Sequence, residues 1–362
     1  MRGYVSNIKQ LTNLIWLTTG IINSRSIVLS QLANLLPGDA DAQSRETRIR
    51  EWLKNPRVDV WVLYQAVLQR LLAKVDWSER RIYVAVDGTM LAGDRIQVIY
   101  LSLIHGNRAI PLTWTVVHGT GLVQSAVLQP MFERVAAFLS GYHGSVVLLA
   151  DRGFRDHDWA LLSCGLGWGY RIRLVGSINI RLKNGAFVQL AALAPRMGRT
   201  LCINNAILTK QFDFATHVSM TWSRGQLDTL PELVIIMSDE RAHPQRLAEY
   251  SLRMDIEQSF RDDKSGGFAI DKTRLTHPER IERLLLAVAI ATLWCHEVGQ
   301  FVLHSGEWFR RMIDPAHSRK LSVFQIGLRW IKHCLAVLLT SLPHFYVCLK
   351  PFSLPPVTLS KT

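Results

Sequence analysis

The sequence predicts a mixed α/β protein in which a helical N-terminal region precedes a sheet-forming core. Residues 1–78 carry apolar side chains at helical spacing, for example along residues 60–71. From Arg81 the pattern changes to short β-branched runs that alternate with helical segments. A later stretch, residues 177–238, consists of short alternating runs divided by turn residues. Strands and helices in this order predict a layered α/β fold that a β-rich insertion interrupts.

Composition restricts both the class of protein and the class of partner. The chain has 362 residues, of which 48% are hydrophobic, and this is enough for a large core divided over two or three domains. The formal charge is +13 at pH 7. Clustered Lys and Arg gain free energy by releasing counterions from phosphates, so this charge predicts a polyanionic partner. General basicity is the alternative explanation.

Cysteine usage and apolar runs indicate the compartment. The five cysteines are scattered and form no CxxC pair, which argues against a disulfide framework and a zinc site. The longest apolar run, residues 284–295, is shorter than the ~20 residues that a transmembrane helix needs. The N-terminal residues lack the pattern of a signal peptide. We therefore expect a cytoplasmic protein that is associated with the nucleoid.

A basic helix in the N-terminal region is a candidate for DNA binding. Residues 30–36 predict a helix, Pro37-Gly38 a turn, and residues 44–53 a second helix on which Arg45, Arg48 and Arg50 are exposed. A helix, a turn and a basic helix are suited to docking on DNA. An ordinary helical hairpin with a solvated basic face gives the same pattern, and the sequence leaves both interpretations open.

Two predicted strands stop at an aspartate. The run 82–86 precedes Asp87-Gly, and the run 145–150 precedes Asp151-Arg-Gly. Between them lie two further predicted strands, 96–104 and 109–117, and a helix over 122–139, so that the two aspartates would sit side by side at one end of a mixed sheet. Either aspartate taken singly is equally well explained as a turn or helix-cap residue.

The stretch 250–264 predicts one continuous helix that Gly266-Gly267 terminates. At about 100° per residue, four polar residues fall on one narrow face: Tyr250, Arg253, Glu257 and Lys264. Arg253 and Glu257 alone would be an ordinary i,i+4 pair. The two upstream aspartates favour a functional site instead. The next helix is predicted from Pro278 onward, and it forms part of the core.

The β-rich stretch carries basic and aromatic residues that could contact a nucleic acid, namely Lys210, Trp222 and Arg224. For Trp222, simple packing is the more ordinary explanation. The sequence contains no GxxxxGK[ST] loop, no HExxH and no GxSxG, so it carries none of these signatures of P-loop NTPases, zincins and α/β-hydrolases.

Three motifs in order resemble the DDE transposases of the bacterial insertion-sequence-four group. They are Asp87-Gly-Thr, Leu149-Ala-Asp151-Arg-Gly-Phe and Tyr250-x2-Arg253-x3-Glu257-x6-Lys264. The resemblance implies a ribonuclease H-like mixed sheet with flanking helices, interrupted by a β-rich insertion. It also implies that Asp87, Asp151 and Glu257 are the catalytic triad. Tyr250, Arg253 and Lys264 would then contact the DNA backbone near the scissile bond.

The domain division expected on this basis has four parts: a helical DNA-binding domain over 1–78, a catalytic domain over 79–176 and 239–302, the insertion over 177–238, and a helical C-terminal region over 303–362. Carboxylates are hard oxygen ligands for Mg²⁺ or Mn²⁺, and two such ions would be held by Asp87, Asp151 and Glu257.

The expected function is DNA transposition: binding of terminal inverted repeats, metal-dependent phosphodiester hydrolysis and strand transfer. Synapsis of two DNA ends requires an oligomer, at least a dimer. Two other functions fit the same residues. One is a catalytically inactive, transposase-derived regulator, and the other is a different ribonuclease H-like nuclease such as a junction resolvase.

Overall fold

The structure is a computed structural model, and it describes residues 8–73, 75–78, 80–91, 93, 95–106, 108–121, 123–182, 184–208, 214–223 and 230–336. Two positions that the sequence predicted as nucleic-acid contacts, Lys210 and Arg224, lie outside these ranges.

Four helices form the N-terminal region: α1 (Ile8–Ser24), α2 (Leu29–Ala33), α3 (Ala42–Lys54) and α4 (Val60–Leu72). Asp41 and Asp59 begin α3 and α4, because each carboxylate accepts a hydrogen bond from a backbone N–H of the first turn. The helical N-terminal region predicted from the sequence is therefore confirmed.

The basic helix α3 differs from the prediction in one respect. Arg45 is half-buried, since its Nη1 donates to the carbonyl of Leu36 at 2.6 Å. Arg48 lies over the ring of Trp16 at 4.2 Å and donates to Asn13 at 2.9 Å. Only Arg48 and Arg50 remain exposed as predicted.

A mixed sheet forms the centre of the molecule. Its first strands are β1 (Arg81–Leu91), β2 (Ile96–Ile104), β3 (Ala109–His118), β4 (Ser145–Ala150) and β5 (Gly169–Leu174). They lie in the order β3-β2-β1-β4-β5. Strands β1, β2 and β3 are antiparallel, whereas β4 is parallel to β1 and β5 is parallel to β4. The mixed sheet agrees with the ribonuclease H-like fold that the resemblance implies.

The stretch 177–238 continues the same sheet. It contains β6 (Asn179–Arg181), β7 (Phe187–Gln189), β8 (Thr200–Leu208), β9 (Phe214–Trp222) and β10 (Leu233–Ser238). Strand β10 pairs with β5, and the others follow in the order β9-β8-β6-β7 to give ten strands. Trp222 packs in this region and donates from Nε1 to the carbonyl of Pro195 at 2.7 Å. The boundaries of the insertion as a domain stay a prediction.

Helices flank the sheet and complete the core. They are α5 (Ser125–Leu139), α6 (His157–Gly165), α7 (Pro244–Ser251), α8 (Met254–Arg261), α9 (Pro278–His304), α10 (Glu307–Ile313) and α11 (Val323–Ala336). By length and composition α9 could cross a membrane, but most of its apolar stretch is buried inside the protein. It begins at Pro278 as predicted and packs against α1, α11 and β3.

Two expectations for the candidate site region are wrong. The strand predicted to stop at Asp87 runs on to Leu91, because residues 87–91 remain paired with β2. The single helix predicted over 250–264 is two helices, α7 and α8, followed by a π-helical turn over Asp262–Phe268. Gly267 lies inside this turn rather than ending a helix, and the ring of Phe324 occupies the space that a side chain would need.

Candidate active site

The parallel pairing of β1 with β4 brings two carboxylates to the same level. The last registered pair is Val86 with Ala150, so the next residue on each chain segment is Asp87 and Asp151. Neighbouring strands lie ~4.8 Å apart, which makes the two side chains neighbours. Asp87 also accepts a hydrogen bond from the N–H of Gly88 at 2.8 Å. The sequence prediction that these two aspartates sit side by side therefore agrees with the register.

A buried arginine joins the first of these acids to Glu257. Arg253 Nη1 lies 2.5 Å from Asp87 Oδ2, and its Nη2 lies 2.5 Å from Glu257 Oε1. The Arg253 side chain is only 5% exposed, whereas that of Glu257 is 42% exposed. One guanidinium thus bridges a carboxylate of the sheet and a carboxylate of α8.

Tyr250 connects the second aspartate to the same group. Its hydroxyl donates to Asp151 Oδ1 at 3.4 Å and accepts from Arg253 Nε at 3.2 Å. The three acids therefore surround one arginine and one tyrosine, although they come from three distant parts of the sequence.

The break between α7 and α8 lies at the centre of this cluster. Leu252 and Arg253 form a turn in which Arg253 N–H donates to the carbonyl of Tyr250 and Ile256 N–H to that of Arg253, each three residues back rather than four. This tighter turn changes the direction of the chain between Tyr250 and Glu257. A regular helix was the wrong prediction here because local propensity carries no information about the acids that Arg253 meets.

Electrostatics of the cluster follow from burial and charge. Burial raises the pKa of Asp87, Arg253 opposes this, and the nearby Asp151 and Glu257 add to the rise. Burial also raises the pKa of Tyr250, against the effect of Arg253. For Arg253, burial lowers the pKa, but Tyr250 and the three acids outweigh it, so the guanidinium stays charged.

Lys264 is not part of the contact set. It lies in the π-helical turn, where its carbonyl accepts from the N–H of Ala269 at 2.9 Å. Within the described ranges no ion pair joins Lys264 to Asp87, Asp151 or Glu257. The structure thus brings together five of the six residues predicted from the sequence.

The donor types suit a hard divalent cation. Three carboxylates, with Glu257 open to solvent, are ligands of the kind that Mg²⁺ and Mn²⁺ prefer. Across the part of the chain that the structure describes, however, no three His, Cys, Asp or Glu side chains are arranged to hold a metal ion. The reason is visible in the contacts, since the Arg253 guanidinium occupies the space between Asp87 and Glu257.

A second group of charges, which sequence analysis missed, holds α7 against the sheet. Glu249 is fully buried and accepts from Arg171, from Arg81 at 2.9 Å and from Arg246 at 2.8 Å. Arg171 is also fully buried and pairs with Asp239 at 2.7 Å. Glu249 directly precedes Tyr250, so this network fixes the position of the tyrosine. Two arginines in the short strand β5 were the available signal, because a buried strand rarely carries Arg without a partner.

Comparisons with known proteins identify a family. Residues 119–294, just under half of the chain, match the family described as "Transposase DDE domain". The matched stretch includes Asp151, Glu257, Tyr250 and Arg253 and begins after Asp87. No curated protein matches the chain.

Solved structures give two distant likenesses. The cryo-EM structure of a piggyBac transposase synaptic complex with hairpin DNA has a TM-score of 0.42 and 11% identity, over 94% of this chain and 75% of that chain. The X-ray structure of the Marinitoga piezophila Argonaute with 5′ OH guide RNA and target DNA has a TM-score of 0.23 and 9% identity, over 67% of this chain and 34% of that chain. The family match is the comparison that bears on function.

Proposed function

Since the chain carries the DDE domain of the transposase family over residues 119–294, we propose that it is a DNA transposase acting on the ends of its own element. It binds the terminal inverted repeats, hydrolyses phosphodiester bonds there and joins the freed 3′ ends to target DNA. The observation that carries the proposal is the meeting of Asp87, Asp151 and Glu257 around Arg253 and Tyr250.

The three acids are the residues that would hold Mg²⁺ or Mn²⁺. Such ions, when bound, activate an attacking oxygen and stabilise the leaving oxygen of a phosphodiester. Asp87 is fixed by its sheet position and by the Gly88 N–H, and Asp151 is oriented by the Tyr250 hydroxyl. Glu257 is the most exposed of the three acids, so it faces the side from which DNA approaches.

The cations and the phenol serve the acids and the DNA in turn. In the free protein Arg253 neutralises Asp87 and Glu257 and keeps them within reach of each other. A guanidinium binds carboxylate and phosphate oxygens with the same planar fork, so the backbone contact predicted for Arg253 requires it to exchange these partners. Lys264, which has no ion pair to the acids, is assigned to a phosphate as a point charge.

The proposal includes an assembly and a compartment. Bringing two DNA ends together needs two active sites, so the active form is at least a dimer on DNA. The charge of +13 favours DNA as the partner and a location in the cytoplasm on the nucleoid.

The direct test is the variant Glu257→Gln. It keeps the shape of the side chain and removes a ligand charge, so we expect unchanged binding to the inverted repeats and cleavage in Mg²⁺ reduced by more than about a hundredfold. The matched control is Glu133→Gln, an exposed position on α5 whose partner is Gln129, and it should cleave like the wild type.

Two outcomes would contradict the proposal. Full cleavage by Glu257→Gln would remove Glu257 from the mechanism. Cleavage of branched DNA in preference to the repeat ends would identify a junction nuclease, and repeat binding without any metal-dependent nicking by the wild type would identify a regulator.

A further inference from the structure

A polar cavity lies behind the candidate catalytic helix α8. Its volume is about 700 Å³, and its wall includes Arg108, Asp255, Asp262, His296 and Ser322. Asp255 and Glu257 are two residues apart on a helix, which places them about 200° apart around its axis. The cavity is therefore on the side of α8 that faces away from the acid cluster.

Three buried polar atoms in this wall have no hydrogen-bond partner among the described residues. They are Arg108 Nη1, Asp255 Oδ2 and His296 Nδ1. Arg108 is 8% exposed and His296 is 7% exposed, so both side chains are more than nine-tenths buried. An unsatisfied buried polar group costs about 1–3 kcal/mol, so a protein that places three around one cavity gains free energy from a ligand that pairs them.

The three atoms ask for a ligand with both donors and acceptors. Arg108 Nη1 only donates, and Asp255 Oδ2 accepts. Burial lowers the pKa of His296 to about 3, and the nearby Arg108 adds to this, so the ring is neutral and pairs with either kind of atom. Nucleobases carry N–H donors and N or O acceptors on one flat edge, and this is the combination that the wall requires.

Other ligand classes fit less well. A metal cation would be repelled by Arg108, and an inorganic anion would leave Asp255 without a donor. An apolar ligand would leave all three atoms unpaired. Arg319 and Lys320 also line the cavity, and Arg319 is exposed, so a phosphate attached to the base would find cationic partners there.

We propose that this cavity binds a nucleotide, with the base edge on Arg108, Asp255 and His296 and the phosphate beside Arg319 and Lys320. The nucleotide is either a free mononucleotide or a residue of a DNA strand displaced from its duplex. The first source stands independently of the proposed transposase activity, whereas the second rests on it.

Occupancy of the cavity bears on the candidate active site through one helix. Asp255 and Ser259 face the cavity from α8, and Glu257 faces the acid cluster from the same two turns. Asp262 and Gly266 extend the wall into the π-helical turn that carries Lys264. A bound nucleotide thus fixes the segment on which Glu257 and Lys264 lie.

The test is equilibrium dialysis of the full chain with each of the four deoxynucleoside monophosphates, repeated with excess inorganic phosphate. We expect saturable binding of at least one of them that phosphate does not displace. Asp255→Asn should weaken it at least tenfold, because the amide nitrogen presents a donor where the ligand also presents one. Asp158→Asn, an exposed acid on α6, should bind like the wild type.

A second pair of variants avoids any change in the buried wall. Arg319→Gln should weaken binding several-fold, and Arg57→Gln, an equally exposed arginine distant from the cavity, should not. Displacement by phosphate, or equal binding by Asp255→Asn and the wild type, would show only surface charge and overturn the proposal. Absence of binding by every nucleotide and strand would show a water-filled cavity and overturn it as well.

Short single strands and their duplexes separate the two sources. Tighter binding of the single strand than of any mononucleotide, lost in Asp255→Asn, identifies a displaced strand. Equal or weaker binding identifies a free nucleotide. Glu257→Gln keeps the cavity intact, so its nucleotide binding should be unchanged, and failure of cleavage is distinguishable from failure of this site.

Discussion

At the scale of single residues, Arg253 explains how three acids remain together in a protein without a bound cation. Unpaired carboxylates this close would repel one another and shed their charge by protonation. The guanidinium supplies the compensating charge from a buried position and takes its second contact from α8. The residue is thus a positioning group for Asp87 and Glu257 before it is a contact for DNA.

Replacing Arg253 should therefore destabilise the fold and make its stability depend on metal. Arg253→Gln leaves Asp87 buried beside two uncompensated acids, and we expect a loss of about 3 kcal/mol in the free energy of unfolding in chelator. Mn²⁺ should recover more of the stability of this variant than of the wild type, because the ion replaces the missing charge. Denaturant titration with and without Mn²⁺ measures both effects.

The matched control is Arg50→Gln, which removes an exposed pair with Glu46 on α3. A surface i,i+4 pair is worth about 0.5 kcal/mol or less. Equal losses in the two variants, or no additional recovery by Mn²⁺ at Arg253→Gln, would contradict the positioning role.

At the scale of elements, the candidate active site depends on an irregular segment between two regular ones. Helix α7 is held by the buried Glu249 network, α8 carries Glu257, and the π-helical turn follows directly. Irregular turns of this kind are frequent at functional sites. The turn is in turn held by α11, because Gly267 packs directly on the ring of Phe324.

Gly267→Ala tests whether this packing holds the turn. A Cβ at Gly267 would lie 2.5 Å from the Phe324 ring and 2.6 Å from the carbonyl of Asp262, and Phe324 is fully buried. We expect a loss of about 1–3 kcal/mol in the free energy of unfolding from overpacking. Gly165→Ala on α6, where a Cβ meets no atom within 4 Å, is the control and should be nearly neutral.

Cleavage by Gly267→Ala should also fall at temperatures where the protein remains folded, since the turn positions Glu257 and Lys264. Stability and cleavage equal to those of Gly165→Ala would show that the turn adapts and that its geometry is not required.

At the scale of the whole molecule, the sequence predicted what local patterns determine. Apolar runs fixed most of the strands, helical spacing fixed the N-terminal helices and α9, and the position of each aspartate after an apolar run indicated the sheet edge where Asp87 and Asp151 meet. What it missed depends on partners far along the chain. The pairing of β10 with β5, the Arg171–Glu249 contact and the turn at Arg253 are all tertiary, and no local propensity encodes them.

The central claim is that the side chains of Asp87, Asp151 and Glu257 share one divalent cation site, and iron-directed cleavage of the protein tests it most directly. Fe²⁺ in the site, with peroxide and ascorbate, generates hydroxyl radicals that cut the nearest backbone. The account predicts cuts next to all three residues, suppressed by excess Mg²⁺ and absent in Asp151→Asn. Cuts beside only one of them, or none suppressed by Mg²⁺, would contradict it.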